Sequence, residues 1–283
     1  MSEVTSRDRM TLAEALRRLA PEAAPPGPKS SCDHYESTSW DLNTNFGAAV
    51  ALARDGWRER AEELERMMVQ IRDLAPAGFS FGYDVTGESV DVGAYLAGEP
   101  ECMITMEPPA VRNLALVVNI SARCSADARL LLNRGMAIAS LVYSLQAGAY
   151  GVSLRIAEWV TPSESGSTFH ETMIEINQPG EYIDPARLAY WLGHPAVLRR
   201  CVFRFNEQQP RDVRDRYGFR SDSGYGKPSN PPPNAFTGEG ALEGGAVLIP
   251  FPDSDDLQNY ETPQKALQRI SQIVAEQGLK VQL

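Results

Sequence analysis

Residues 114–160 read LALVVNISARCSADARLLLNRGMAIASLVYSLQAGAYGVSLRIAEWV, and this stretch decides the fold. LALVVNI (114–120) is an unbroken apolar run of strand length, as expected of a central strand buried on both faces. SARCSAD is a polar loop. Ala128 to Gln146 follows as a helix that is apolar almost all round. GAYG ends it, and VSLRIAEWV (152–160) is the next strand. Strand, crossover helix, strand is the building unit of a parallel sheet.

The pattern continues toward the C-terminus. ETMIEINQ (171–178) reads as a strand after the Ser/Gly-rich turn PSESGST. Asp184 caps a helix with Pro185 in its first turn. CVFRFN (201–206) reads as a third apolar strand. Residues 207–243, rich in Gly and Pro, read as a surface insertion. GAVLIPF (245–251) reads as a further buried strand. Thr262 caps a last helix, and KVQL (280–283) has the composition of an edge strand. In sheets of this kind ligands or partners meet the loops at the carboxyl ends of the strands. Those are the loops after Ile120, Val160 and Asn206.

Upstream, Thr11 with Glu14 three residues on has capping-box spacing for a helix over LAEALRRLA. Pro21 stops it and PEAAPPGPKSS is a linker. Residues 40–72 read as mostly helical, with a stop at Gly56. Residues 79–105 change character to aromatic and valine segments punctuated by Gly82, Gly87 and Gly93, as in a small β layer. The organisation is therefore a helical arm and linker (1–30), a helical and β extension packed on the core (31–110), and an α/β domain (111–283) with the 207–243 insertion. The fold class is α/β, a mostly parallel doubly wound sheet with an N-terminal helical extension and a small β layer.

Composition excludes several functions. Among 283 residues, 27 Lys or Arg face 37 Asp or Glu, a formal charge of −10, which argues against a nucleic-acid-coating surface. No apolar run approaches the ~18 residues of a membrane span. The polar start MSEVTSRDRM is unlike a signal or transit peptide. Cys32, Cys102, Cys124 and Cys201 form no CxxC pair and are expected as reduced, mostly buried thiols, which points to a cytoplasmic protein. SGYGKPS (223–229) lacks the P-loop glycine and hydroxyl. There is no GxSxG elbow, so acyl transfer has no evident nucleophile. Cys32-Asp33-His34 is too short to wrap a metal alone. His170-Glu171 lacks the second histidine of HExxH, and His194 before Pro195 reads as a packed or helix-end histidine.

The segment Asn119-Ile120-Ser121-Ala122-Arg123-Cys124-Ser125, with the long helix, Gly-Tyr-Gly-type turn and strand behind it, resembles a von Willebrand factor A-type domain. That resemblance implies a Rossmann-like sheet whose first strand ends in Asp-x-Ser-x-Ser, with oxygens that hold Mg²⁺. Here Asn119 replaces the aspartate, Ser121 matches the first serine, and Arg123 replaces the second. A guanidinium has no acceptor and repels a cation. Thr161 and Asn206-Glu207 are the nearest matches to the family's remaining ligands, and only a shifted register using Glu207 supplies a carboxylate. The metal-adhesion site is thus expected to be degenerate, with no cofactor and Mg²⁺ disfavoured. Alternatively Arg123 points to solvent and Asn119 caps the helix.

Trp40-Asp41-Leu42 through Gly56-Trp57, and Asp91 to Met103, also resemble segments of uncharacterised tailed-phage proteins with a degenerate A-type core, over residues 38–205. That resemblance implies a phage origin and gives no established activity, while the A-type resemblance implies a non-catalytic adaptor or scaffold. Its partner would be a phage or host protein or a MoxR-type ring ATPase, engaged by the A-type loop face or the 207–243 insertion. Two alternatives stand beside it. One is a Mg²⁺-dependent hydrolytic enzyme at the same strand ends. The other is RNA or single-stranded DNA binding through the Arg/aromatic segment 199–225, with Arg211, Arg214, Arg216 and Tyr217 as its contacts.

Overall fold

The computed structural model describes residues 3–20, 39–71, 80–87, 89–107, 112–147, 150–162, 168–219, 225–231 and 246–279. The linker 21–38, with Cys32-Asp33-His34, and the 280–283 segment lie outside them. The chain opens with strand β1 (Glu3–Thr11) and helix α1 (Leu12–Leu19). Thr11 accepts from the Glu14 amide at 3.3 Å, so the capping spacing does set the start of α1. The edge strand before it was not legible, because SRDRM has the composition of a solvated tail. A 3-10 turn (Ser39–Asp41) leads to α2 (Phe46–Asp55) and α3 (Arg58–Ile71), separated by Gly56 at φ 80°.

Next comes the small unit: β2 (Ser80–Asp84), β3 (Ser89–Val90), the short helix α4 (Val92–Leu96) and β4 (Met103–Glu107). They form an antiparallel sheet of order β2-β4-β3. The larger unit follows with β5 (Arg112–Asn119), α5 (Ala128–Ala147), β6 (Tyr150–Thr161) and β7 (Thr168–Asn177). Then come α6 (Pro185–Gly193), a π-helical turn (Val197–Val202), α7 (Phe203–Glu207), α8 (Arg211–Tyr217) and β8 (Lys227–Pro228). Strand β9 (Val247–Ile249), a 3-10 turn (Leu257–Tyr260) and α9 (Pro263–Glu276) end the described chain.

The main sheet has the order β1-β7-β6-β5-β9, with β8 against the end of β6. β5 runs parallel to β6 and β9, and β1 parallel to β7. The architecture is α/β with a mostly parallel central sheet flanked by helices, consistent with the doubly wound class. β7 is antiparallel to β6. The link at 162–167 is too short for a crossover connection, which needs a dozen or more residues.

CVFRFN (201–206) is not a strand. It continues a helical path through the π turn into α7. A six-residue apolar run has no periodicity that separates a strand from a fully buried helix, and nearly every residue of 197–207 is buried. The 207–243 insertion likewise contains α8 and β8.

One large apolar cluster unites Leu116, Val118, Leu154, Ile156 and Ile174 of the sheet with Ala53, Leu64, Ile138, Val142, Trp191 and Ile270 of the helices. Glycine sets the closest helix approach in it. A Cβ on Gly135 of α5 would overlap the Leu192 carbonyl and the Gly193 Cα of α6.

The Trp40-Asp41 turn clamps the π turn. Asp41 Oδ2 accepts from Arg200 Nε at 3.0 Å and from Nη2 at 2.5 Å, with both side chains 2% exposed or less. Arg199 donates to the Trp40 carbonyl and to Ala126 O, and lies 4.3 Å over the Trp40 ring.

Three substitutions have expected effects on stability in urea. Gly135→Ala lowers the unfolding free energy by about 3 kcal/mol, since backbone on both sides has no room to yield. Gly47→Ala, whose Cβ meets nothing closer than 3.6 Å, raises it by ~0.5–1 kcal/mol. Asp41→Ala removes the carboxylate that accepts from Nε and Nη2 of the buried Arg200 and costs about 3 kcal/mol. Equal midpoints for Asp41→Ala and the parent would remove that role.

Candidate functional site

At the carboxyl ends of β5 and β6, Asn119 and Ser121 come together as expected, and both are buried. Their polar atoms face protein. Asn119 Nδ2 donates to Ser229 O at 2.9 Å and to Asn230 Oδ1 at 3.3 Å, and its Oδ1 accepts from the Ser121 amide. Ser121 Oγ donates to Trp159 O and accepts from Trp159 N. Thr161 pairs with Lys227 across the β6–β8 ladder. Asn230 Oδ1 also accepts from the Phe251 amide beyond β9. Residues 227–231 therefore lie over the strand ends, while the oxygens a cation would need, Asn119 Oδ1 and Ser121 Oγ, are engaged by the Ser121 amide and by the Trp159 backbone. Arg123 and Ser125 are exposed, so the guanidinium turns to solvent instead of filling the loop. The loop is braced from outside, because Trp40 Nε1 donates to Cys124 O at 3.0 Å.

Asn206 and Glu207 do not join this loop, since no strand ends there. They sit in α7 under β6 and β7. Asn206 Nδ2 donates to Glu158 Oε2 at 2.7 Å, and its Oδ1 accepts from Thr172 Oγ1 at 3.0 Å. Glu207 accepts from the Tyr225 hydroxyl at 2.5 Å. The amide of Asn206 sets the direction of a longer chain. Thr172 must donate to it, so His170 Nε2 donates to Thr172 at 3.0 Å, and His170 Nδ1 accepts from Ser6 Oγ at 2.9 Å. Burial pushes the Glu158 carboxyl up to about 7 and His170 down to about 4. A neutral imidazole and a carboxyl that keeps its proton up to about pH 7 thus fasten the helical segment to β1, β6 and β7. Sequence reading missed this network, because β1 and β7 are far apart in the chain and only their pairing brings Ser6 to His170.

Behind the Asn119 loop, buried Arg134 donates to Asn119 O at 3.1 Å and Pro250 O at 2.7 Å. Its Nε has no hydrogen-bond partner among the described residues. It borders a cavity of about 30 Å³ with Ile120, Trp191 and His194, room for roughly one water. Desolvation lowers the guanidinium pKa. His194 ends α6, as expected, with Nδ1 accepting from the Ala196 amide, and burial pushes it down to about 4.

The Arg/aromatic segment is divided by burial. Arg199, Arg200 and Arg204 are inside, as are Phe205, Tyr217 and Phe219. Tyr217 bonds Thr5 at 2.7 Å. Arg211 and Arg216 are exposed and Arg214 half-buried, on α8. Of its other rings, Phe203 and Tyr225 are half-buried and stack on each other at 3.8 Å. Among the described cysteines Cys201 is buried, Cys102 is half-buried and Cys124 is exposed, contrary to the expectation of mostly buried thiols. No helix among the described residues is long and apolar enough to cross a membrane.

The small antiparallel unit carries the feature that the sequence reading passed over. Tyr83, Val85, Val90, Val92, Tyr95 and Leu96 are 45–79% exposed. Solvent is a poor place for six such side chains on one short segment. The backbone beneath them is well determined. Asp91 Oδ1 accepts from the Gly93 and Ala94 amides at 2.8 and 3.1 Å, and Oδ2 accepts from the Tyr83 hydroxyl at 3.0 Å. The Ala94 amide, then the Tyr83 hydroxyl, hold the Asp91 carboxyl below its usual range. The Asp91 amide donates to Cys102 O at 2.8 Å, tying α4 to β4. The signal available in the sequence was the absence of any Lys, Arg or His between Arg72 and Arg112.

The Glu158 network sets a pH dependence. A carboxyl with a raised folded pKa binds its proton more tightly than the unfolded chain does. Stability therefore falls as pH rises from 4.5 to about 7 and levels off above. His170 and His194 act oppositely, losing stability as pH falls from 6.5 toward about 4. Glu158→Gln removes only the first effect. Its unfolding free energy in urea, relative to the parent, rises across that window by about 3 kcal/mol between pH 4.5 and pH 8. A constant difference between pH 5 and pH 8 would dismiss the buried neutral acid.

No curated protein and no solved structure matches this chain. Residues 10–281 match the family described as Domain of unknown function (DUF7192). That match runs from the last residues of β1 past the end of α9, over sheet, clamp and small unit alike, so the chain belongs to the DUF7192 family.

Proposed function

We propose that this protein is a non-catalytic protein–protein interaction module that docks its partner on the small antiparallel unit of residues 80–107. One observation carries the reading: six large apolar side chains between Tyr83 and Leu96 stay in solvent on a backbone already ordered by Asp91. An ordered surface costs little entropy to bind, and tyrosine supplies contact area with few rotors. The strand-end loop supports the same reading from the other side. Asn119 and Ser121 are committed to internal partners, and residues 227–231 cover them. The von Willebrand A-like character of the core, the degenerate metal loop and a phage origin remain part of this proposal. The first two are supported by the strand, loop, long helix and strand order at residues 112–161, and the third by the sequence resemblance over residues 38–205. Within that resemblance the partner is a phage or host protein or a ring ATPase. The docking surface proposed here is neither the loop face nor the 207–243 insertion.

A photo-crosslinking amino acid at position 95, in the cell that natively makes the protein, is expected to give a discrete protein adduct. The same probe at Tyr182, which is 78% exposed elsewhere on the chain, is expected not to. Val92→Ser with Leu96→Ser abolishes the adduct at 95 without shifting the melting temperature, since both side chains are already in water. Identical adducts from 95 and 182, or an adduct indifferent to the double substitution, would sink the proposal.

A further inference from the structure

We infer that the partner presents apolar side chains flanked by Lys or Arg, a cationic amphipathic segment of another protein; this rests on the docking reading above and adds the partner's chemistry to it. Between Arg72 and Arg112 the chain has no basic residue. Residues 80–107 carry Asp84, Glu88, Asp91, Glu99, Glu101 and Glu107. Asp84, Glu99 and Glu101 are exposed, and none of the three has an ion-pair partner among the described residues. Elsewhere the chain does pair surface acids, as in Lys265–Glu261 and Arg269–Asp256. The small unit thus exposes apolar side chains together with acids that have no ion-pair partner among the described residues.

Apolar area at the centre of an interface drives association, while charges at its border select the partner and speed encounter. These acids reject acidic occupants. A second copy would bring like charges together, on a chain whose formal charge is already −10. Nucleic acid and an anionic bilayer are repelled for the same reason. A basic-bordered apolar segment places aliphatic side chains on Tyr95 and Leu96 and its cations against Glu99 and Glu101. The charge attraction must weaken with salt, because the screening length falls from ~30 Å at 0.01 M to ~3 Å at 1 M.

The test is fluorescence anisotropy of the full chain with two labelled amphipathic peptides that share one leucine face, one with lysine and one with glutamate on the other face. The Leu/Lys peptide is expected to bind, and the Leu/Glu peptide at least about tenfold more weakly, a gap of ~1.4 kcal/mol. Tyr95→Ser with Leu96→Ser abolishes binding without adding charge. Glu99→Gln with Glu101→Gln weakens the Leu/Lys peptide severalfold and flattens its salt dependence. If both peptides bind equally and both depend on Tyr95 and Leu96, the docking surface stands and the cationic partner is wrong. If the Leu/Lys peptide binds but ignores the Tyr95 and Leu96 substitutions, the docking reading itself fails. A concentration-dependent dimer in sedimentation that those substitutions dissolve overturns the inference in favour of a second copy.

Discussion

The buried pair of Asp41 and Arg200 is the constraint on which the arrangement of helices depends. Both side chains are withdrawn from water, so the ion pair between them is made in a low-dielectric setting where its loss is costly. The pair fixes the turn before α2 to the π turn after α6. Arg199, one residue earlier, stacks on Trp40 and reaches Ala126 O. Through these few contacts the N-terminal helices, the loop after β5 and the helical path to α7 hold one geometry. Arg200 then Arg204 and Asn206 follow on that path, and Asn206 carries the constraint down to Glu158 on the sheet.

The interior built in this way is unusually polar for a core. Glu158, His170, Thr172 and Asn206 form a single directed chain of donors and acceptors. Satisfied buried networks specify one packing more sharply than apolar contacts do, because a slipped partner leaves a dry unpaired group. The same logic closes the strand ends. Ser229 and Asn230 complete the hydrogen bonds of Asn119, and Trp159 completes those of Ser121. The place where α/β sheets commonly bind ligands is here occupied by the protein's own insertion.

Against this closed body the small unit stands out by contrast. Its hydrogen bonds are local, its large apolar side chains are wet, and its exposed Asp84, Glu99 and Glu101 lack an ion-pair partner among the described residues. A body whose strand ends are closed by its own hydrogen bonds and a unit that leaves apolar side chains in water divide the labour of stability and recognition. The proposed function places the contact with a partner on the second.

The sequence by itself determined the elements whose signal is local. The continuous apolar runs at 114–120 and 152–160 gave buried strands, and Thr11, Asp184 and Thr262 started helices where their side chains could cap them. The degenerate loop was legible as residue types, Asn119, Ser121 and Arg123. What it bonds to was not, because Ser229 and Asn230 lie 110 residues or more away. Only the tertiary structure decided that CVFRFN is helical, since six apolar residues carry no period. It also made Glu3–Thr11 an edge strand, because β7 supplies that strand's hydrogen bonds, and it left the valines and tyrosines of 83–96 in water. Burial is a property of what surrounds a residue, and a one-dimensional pattern records the residue alone.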